Sequence, residues 1–285
     1  MLYIHSMWSE PQKNYSEEKK MKSFIHSLYS VILVKKLGYK IHLYCDKEAY
    51  NLYSLIPYDK IIIVDFSSDD INPFFWNWSK IKSQKLVNEP YVHIDNDVFL
   101  YKDVVGDSIS SKKCSMIVQS VENEITMPDN FHRDYMGLNF NEVYGDFGVE
   151  WYKYNMWAYN CGVVGFSDVE LKNKYLDLVY KLYLRASNEN KIGEKYRSTL
   201  FVGEQMLLYY VARQNNAKVF EIIPYDKMIK YLDYGWIVVG NEIGYCHMWG
   251  QVKFNDVVVN KIVERIKKEH PEYNYVLKTV GGVYV

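Results

Sequence analysis

In Pro90-Tyr91-Val92-His93-Ile94-Asp95-Asn96-Asp97-Val98 a short apolar run breaks off into two carboxylates. Pro90 precedes an expected strand over 91–94, which leads straight into Asp95. In an extended chain, residues two apart point the same way, so Asp95 and Asp97 are expected to face one side and Asn96 the other. Two carboxylates that close repel, and both stay ionised only with a cation between or near them. Hard oxygen ligands suit Mg²⁺ or Mn²⁺, which bridge the oxygens of a diphosphate. The pair follows a strand read as buried, and open α/β sheets bind their ligands at such strand ends. Taken alone, two solvated aspartates in a turn are the commoner arrangement; the buried strand directly before them shifts the reading toward a site.

Working outward from this stretch, strands and helices alternate. Strands are expected over 2–5, 40–45 and 60–66, and helices over 17–37, 46–55 and 75–87, with Gly38 closing the first helix. The run Ile61-Ile62-Ile63-Val64 fits a strand covered on both faces. This alternation implies an α/β fold, a mostly parallel central sheet with helices on both faces. Downstream, 115–119 reads as a strand. Residues 122–159 are rich in Asn, Asp, Gly and aromatics without periodicity, as binding loops are. A strand over 158–166 follows, then a helix opened by the capping-box pattern Ser167-Asp168-Val169-Glu170. A second helix is expected over 203–214, strands over 219–223 and 236–239, a helix over 256–268, and an extended tail to Val285. The expectation is one domain over 1–285, with a nucleotide-binding half (1–120) and an acceptor-binding, closing half (121–285).

Composition narrows the function. The chain has 285 residues, 48% of them apolar, enough for a substantial core. Its formal charge is -1, with no stripe of Lys and Arg, which argues against nucleic acid as the main partner. Cys45, Cys114, Cys161 and Cys246 form no CxxC pair and read as free thiols of a reducing compartment. Neither a signal peptide nor a run of about 18 apolar residues is visible. The expectation is a cytoplasmic protein with no transmembrane segment, peripheral membrane contact being left open. The 28 tyrosines read first as ordinary packing and only second as sugar-stacking rings.

Four segments, in order, carry a resemblance. Asp95-Asn96-Asp97 resembles the DxD motif of glycosyltransferases with the GT-A fold. Tyr159-Asn160-Cys161-Gly162-Val163-Val164-Gly165-Phe166 is similar to the Asn-x-Gly strand beside the transferred sugar, and Glu204-Gln205 resembles the acidic-Gln pair near the reacting centre. His247-Met248-Trp249-Gly250-Gln251-Val252-Lys253 matches the H-x-x-G-x-x-K pattern of the retaining, galactosyltransferase-like family 8. The resemblance spans about residues 1–255 and departs from family 8 after Lys253, where Phe254-Asn255 replaces the usual Pro-Trp.

The resemblance implies a GT-A fold and a metal-dependent transfer of sugar from a UDP-sugar donor to a carbohydrate or glycoconjugate acceptor, with retention. Asp95, Asp97 and His247 would hold Mn²⁺ or Mg²⁺, and Gly250 and Lys253 would meet the diphosphate. Ser6, Met7 and Trp8 follow the first strand, where base and ribose sit in this fold. Asn160 is expected beside the sugar, Lys80 and Lys82 toward the phosphates. Gln205 would lie near the sugar in a retaining enzyme; an inverting one would take Glu204, Asp146 or Glu150 as its base. Three rivals stand beside this reading: a phosphatase of the D-x-D-x-[TV] type; a nucleotidyltransferase, which would need a Gly-rich, basic loop after the first strand where Ser6-Met7-Trp8-Ser9-Glu10-Pro11 has no glycine; and a non-catalytic nucleotide-sugar or carbohydrate binder on the same scaffold.

Overall fold

The computed structural model describes residues 1–106, 108–123, 157–192, 198–227, 242–248 and 250–280. Along the chain run β1 (Leu2–Met7), α1 (Glu17–Lys36), β2 (Lys40–Cys45), α2 (Lys47–Tyr53), β3 (Lys60–Ile63), α3 (Trp78–Lys85), β4 (Tyr91–Ile94), β5 (Val98–Leu100), β6 (Met116–Glu122) and β7 (Ala158–Phe166). Then come α4 (Val169–Asn188), a helical turn (Ser198–Phe201) and a π turn (Val202–Met206) leading into α5 (Leu207–Gln214), and β8 (Val219–Glu221). The chain continues with β9 (Tyr245–His247), a 3-10 turn (Gly250–Phe254), α6 (Asp256–Glu269) and α7 (Asn274–Val280). The fold is mixed α/β on a central, mostly parallel seven-stranded sheet of order β3-β2-β1-β4-β7-β6-β8, with β5 and β9 forming a separate two-stranded sheet.

The chain divides into two compact units. One comprises 2–65, 94–104 and 236–285; the other comprises Met1, 66–93 and 105–235. In the first, β1 pairs in parallel with β2 from Leu2↔Lys40 to Met7↔Cys45, and β2 with β3 from His42↔Lys60 to Cys45↔Ile63. Ser16 caps α1 by accepting the Lys19 amide, Glu17 and Glu18 occupy the first turn, and Lys35 and Lys36 the last, each charge matching the helix dipole. Gly38, at φ +82°, ends the helix in the left-handed conformation. The apolar face of α1, with Phe24, Leu28, Val31 and Ile32 at 2% exposure or less, is core.

In the second unit, β6 pairs antiparallel with β7 and parallel with β8. Gly165 on β7 lies so close to the Tyr91 carbonyl that an added Cβ would stand 2.6 Å from its oxygen. Helix α4 starts one residue later than the expected Ser167 cap. Asp168 accepts the Leu171 amide, while the Ser167 hydroxyl donates to the Cys114 carbonyl.

Four other expectations are corrected. β3 is an edge strand, not one covered on both faces, and Ile63 is 52% exposed. Asp95-Asn96-Asp97 is a turn, not an extended segment. The helix expected from 203 begins in the π turn. The tail is helical through 274–280, its buried Val276 and Leu277 meeting the core. The strand expected over 236–239 and most of the loop 122–159 fall outside the described residues. Among the described residues, no helix is long and apolar enough to cross a membrane.

Candidate metal centre

The centre is built by the two-stranded sheet. After β4 the chain turns tightly, the Val98 amide donating to the Asp95 carbonyl at 3.0 Å, an i to i+3 bond. β5 then pairs antiparallel with β9 in the register Val98↔His247, Phe99↔Cys246, Leu100↔Tyr245. One step further, the Met248 amide donates to the Asp97 carbonyl at 2.9 Å. This register sets His247 beside Asp97. The ligand atoms of Asp95, Asp97 and His247 all lie within 4.8 Å of one another. His247 Nε2 stands 3.5 Å from Asp97 Oδ1 and 3.9 Å from Asp95 Oδ2, and Lys253 Nζ 2.9 Å from Asp97 Oδ2. Asn96 turns away and donates to the Ser6 carbonyl at 3.3 Å, which fixes the turn at the C-terminal end of β1, where parallel sheets present ligand sites.

Burial alone would raise the Asp97 carboxyl. The Lys253 ammonium, and then His247, outweigh it and hold the group well below the usual carboxylate range. Lys253 is pulled down by burial and pushed up further by Asp97, then Asp95, for a net rise. Asp97 is therefore a buried anion with its charge fixed. Two carboxylates and an imidazole brought this close together suit one small divalent cation of the Mg²⁺ or Mn²⁺ kind. Gly250 opens the turn that delivers Lys253. Its φ of +61° is left-handed, and an added Cβ would meet nothing within 4 Å, so backbone conformation rather than crowding calls for glycine.

Residues 1–280 match the family described as "Family of unknown function (DUF6734)". The chain belongs to that family. A search of the curated proteins returns no match. Among solved structures, the DUF6734 chain resembles mouse xyloside xylosyltransferase 1 in its apo form, at 7% identity and TM-score 0.40 over 77% of this chain and 83% of that one. It also resembles the galactosyltransferase LgtC with donor and acceptor sugar analogues, at 8% and 0.38 over 71% and 70%. A third is core-mannan synthase A of Aspergillus fumigatus in its Mn/GDP form, at 11% and 0.39 over 79% and 73%. At TM-scores this low, these resemblances carry none of the functional argument, which rests on the geometry of the centre.

The remaining expected site residues of the DUF6734 chain fall in three groups. Ser6 and Trp8 belong to the same unit as the centre: Ser6 is half-buried, with its carbonyl on Asn96, and Trp8 is buried at 4% exposure. Lys80, Asn160, Glu204 and Gln205 belong to the other unit. There Lys80 and Glu204, expected in separate roles, face each other as a buried ion pair at 2.7 Å. Asn77 donates to the second Glu204 oxygen at 3.0 Å and to the Tyr183 hydroxyl at 2.9 Å. Lys80 also reaches the Cys161 carbonyl. Gln205 is half-buried in the π turn, and Gly203 beside it leaves no room for a Cβ against the Tyr183 ring; single π turns of this sort recur at functional sites. Asn160 accepts the Gly162 amide at 2.9 Å and donates to Glu122 at 2.6 Å. Lys82 pairs with Asp69 and the Ser68 hydroxyl. Asp146, Glu150 and Trp249 lie outside the described residues.

Sequence reasoning missed β5, β9 and a row of polar residues on α1. β5 and β9 have three residues each, too few for periodicity to register. The spacing of Lys22, His26 and Ser30, four apart on a helix, was the available signal for the third.

Proposed function

We propose that this chain is a metal-dependent glycosyltransferase, moving a sugar from a UDP-linked donor to a hydroxyl of a carbohydrate or glycoconjugate, with retention. What supports the reading is the convergence of Asp95, Asp97 and His247 within 4.8 Å of one another, with Lys253 2.9 Å from Asp97. Segments far apart in sequence thus supply two carboxylates, an imidazole and an ammonium to one place.

In this reading Asp95, Asp97 and His247 hold Mn²⁺ or Mg²⁺. A divalent ion there supplies positive charge to the diphosphate oxygens on which negative charge develops as the sugar leaves. Lys253 adds a second positive charge, and Gly250 lets the backbone approach a phosphate closely. Ser6 and Trp8 are assigned to the base and ribose. In the other unit, Glu204 serves chiefly to hold Lys80. A cytoplasmic location is part of the same proposal.

The test is donor hydrolysis with a panel of nucleotide sugars, with and without Mn²⁺, comparing the intact chain with Asp97→Ala. Metal-dependent UDP release from one donor, lost in a folded variant, is the expected result and names the sugar. Hydrolysis that ignores both the metal and Asp97 would refute the mechanism. Metal-dependent release of phosphate from a phosphomonoester instead would favour the phosphatase.

A further inference from the structure

Lys22, His26 and Ser30 recur every four residues on α1 and so share one face of the helix. At 6%, 1% and 1% exposure they are buried where an amphipathic helix is expected to be apolar. Each donates to a backbone carbonyl: Lys22 Nζ to Phe254 at 3.0 Å, His26 Nε2 to Lys253 at 2.7 Å, Ser30 Oγ to Val98 at 2.7 Å. Those carbonyls belong to Lys253 itself, to its neighbour, and to the residue after Asp97. Lys22 further pairs with Glu18 and with Asp256, at 2.6 and 2.7 Å, tying the start of α6 to the same row. The His26 ring also stacks on Phe99 of β5, with centroids 5.7 Å apart and planes at 11°. One imidazole thus touches both segments that bring Asp97 and Lys253 together.

The bonding fixes the state of that ring. A carbonyl only accepts, so Nε2 carries the proton; Nδ1 is buried without a partner, and burial lowers the basicity of the group. His26 is a neutral donor, a role that a glutamine amide reproduces at nearly the same atom position.

We propose that Lys22, His26 and Ser30 are positioning residues that set the Lys253 turn against Asp97, and that His26 acts on ligand binding through Lys253. The inference deepens the transferase reading and rests on it for the identity of the ligand alone.

The experiment takes His26→Ala, His26→Gln, Lys253→Ala and the double variant His26→Ala/Lys253→Ala. It measures UDP affinity in saturating Mn²⁺ by calorimetry, and acylation of Lys253 by an amine-reactive ester, read by peptide mass spectrometry. His26→Ala should weaken UDP about tenfold, as loss of one buried hydrogen bond and its geometry would. His26→Gln should restore affinity to within about twofold, and His26→Ala should cost nothing further once Lys253 is gone, since contributions passing through one residue are not additive. Lys253 should acylate several times faster in His26→Ala than in the wild type or His26→Gln. An equal loss in the Lys253→Ala background, or none in the wild-type background, would overturn the proposal. If the wild type binds no UDP with Mn²⁺, the transferase reading fails and the acylation rates decide: faster in His26→Ala upholds positioning, unchanged refutes it. Should His26→Ala not fold, Lys22→Met, at the adjacent carbonyl, takes its place with the same expectations.

Discussion

Acid should destabilise this protein through His5 before the Asp97 carboxylate takes up a proton. His5 on β1 is fully buried. Its Nδ1 lies 2.8 Å from the Tyr58 hydroxyl and its Nε2 3.3 Å from Ser30 Oγ. Ser30 has one proton and gives it to the Val98 carbonyl. Its contact with His5 is therefore as acceptor, which places the imidazole proton on Nε2 and leaves Nδ1 to accept from Tyr58. A second proton on Nδ1 would face the Tyr58 O–H donor against donor unless that hydroxyl gave up its bond to the ring. Burial pushes the pKa down to about 3, and the charge of Asp97 pulls it back only in part.

Between that value and the ordinary histidine value of about 6.5, the unfolded chain binds a proton that the folded chain refuses. Stability therefore rises with pH across this window and is lost as pH falls through it. At pH 5.0, one and a half pH units below the unfolded histidine, the loss is about 2 kcal/mol at about 1.36 kcal/mol per unit. His26, also lowered by burial, adds to it. Asp97, held low, contributes stability that is lost only below the unfolded aspartate value of about 3.9, so pH 5.0 is clear of it. The assay is urea unfolding followed by far-ultraviolet circular dichroism at pH 7.5 and 5.0, in EDTA, for the wild type and His5→Gln. The stability gap between the two proteins should move against the wild type by about 2 kcal/mol on acidification. A gap equal at both pH values would mean that folded His5 takes up its proton as freely as the unfolded chain does, and the burial argument would be wrong.

Other outcomes follow from single contacts. Gly165→Ala places a Cβ against the Tyr91 carbonyl and should cost about 1–3 kcal/mol by overpacking. Gly250→Ala has open space and should cost only the left-handed backbone term, about 1–2 kcal/mol; urea midpoints rank the two. Lys80→Met strands the buried Glu204 carboxylate and should cost about 3–5 kcal/mol, part of which Glu204→Gln recovers in the double variant. Mn²⁺ at a hundredfold excess over its dissociation constant should stabilise the wild type by about 2.7 kcal/mol. EDTA should reverse that gain, and His247→Ala should abolish it, as thermal melting would show.

The strands β1, β2, β4 and β7 were legible because apolar, β-branched and aromatic residues dominate short runs between turn formers. The helices α1 and α6 were legible because their apolar positions recur every three or four residues. The ligand set was legible at Asp95, Asp97 and His247 as residue types, but not as a place. The register Val98↔His247 that joins them rests on main-chain bonds between two three-residue strands, and main-chain bonding leaves little mark on side-chain pattern. The helical tail did leave one: Tyr273, Val276, Leu277 and Val280 repeat at helical spacing. Glu204 and Lys80 could be read as polar residues in helices. That they would neutralise each other depends on two elements packing side by side, which no local pattern encodes.

A two-stranded ribbon this short is not stable on its own, so the ligand set must take its rigidity from elsewhere in its unit. Helix α1 supplies it twice over. On the apolar side, Phe99 of β5 is fully buried against Tyr29, edge to face at 5.1 Å, and against the face of His26. On the polar side, Ser30 and His26 hold carbonyls of the segments carrying Asp97 and Lys253. A long helix with its own cap, charge pattern and apolar core face has support beyond the ribbon, whereas the ribbon takes much of its order from the helix. Substitutions on this face of α1 should therefore loosen the ligand set before they unfold the helix, so that lost metal affinity precedes lost helicity in any graded series.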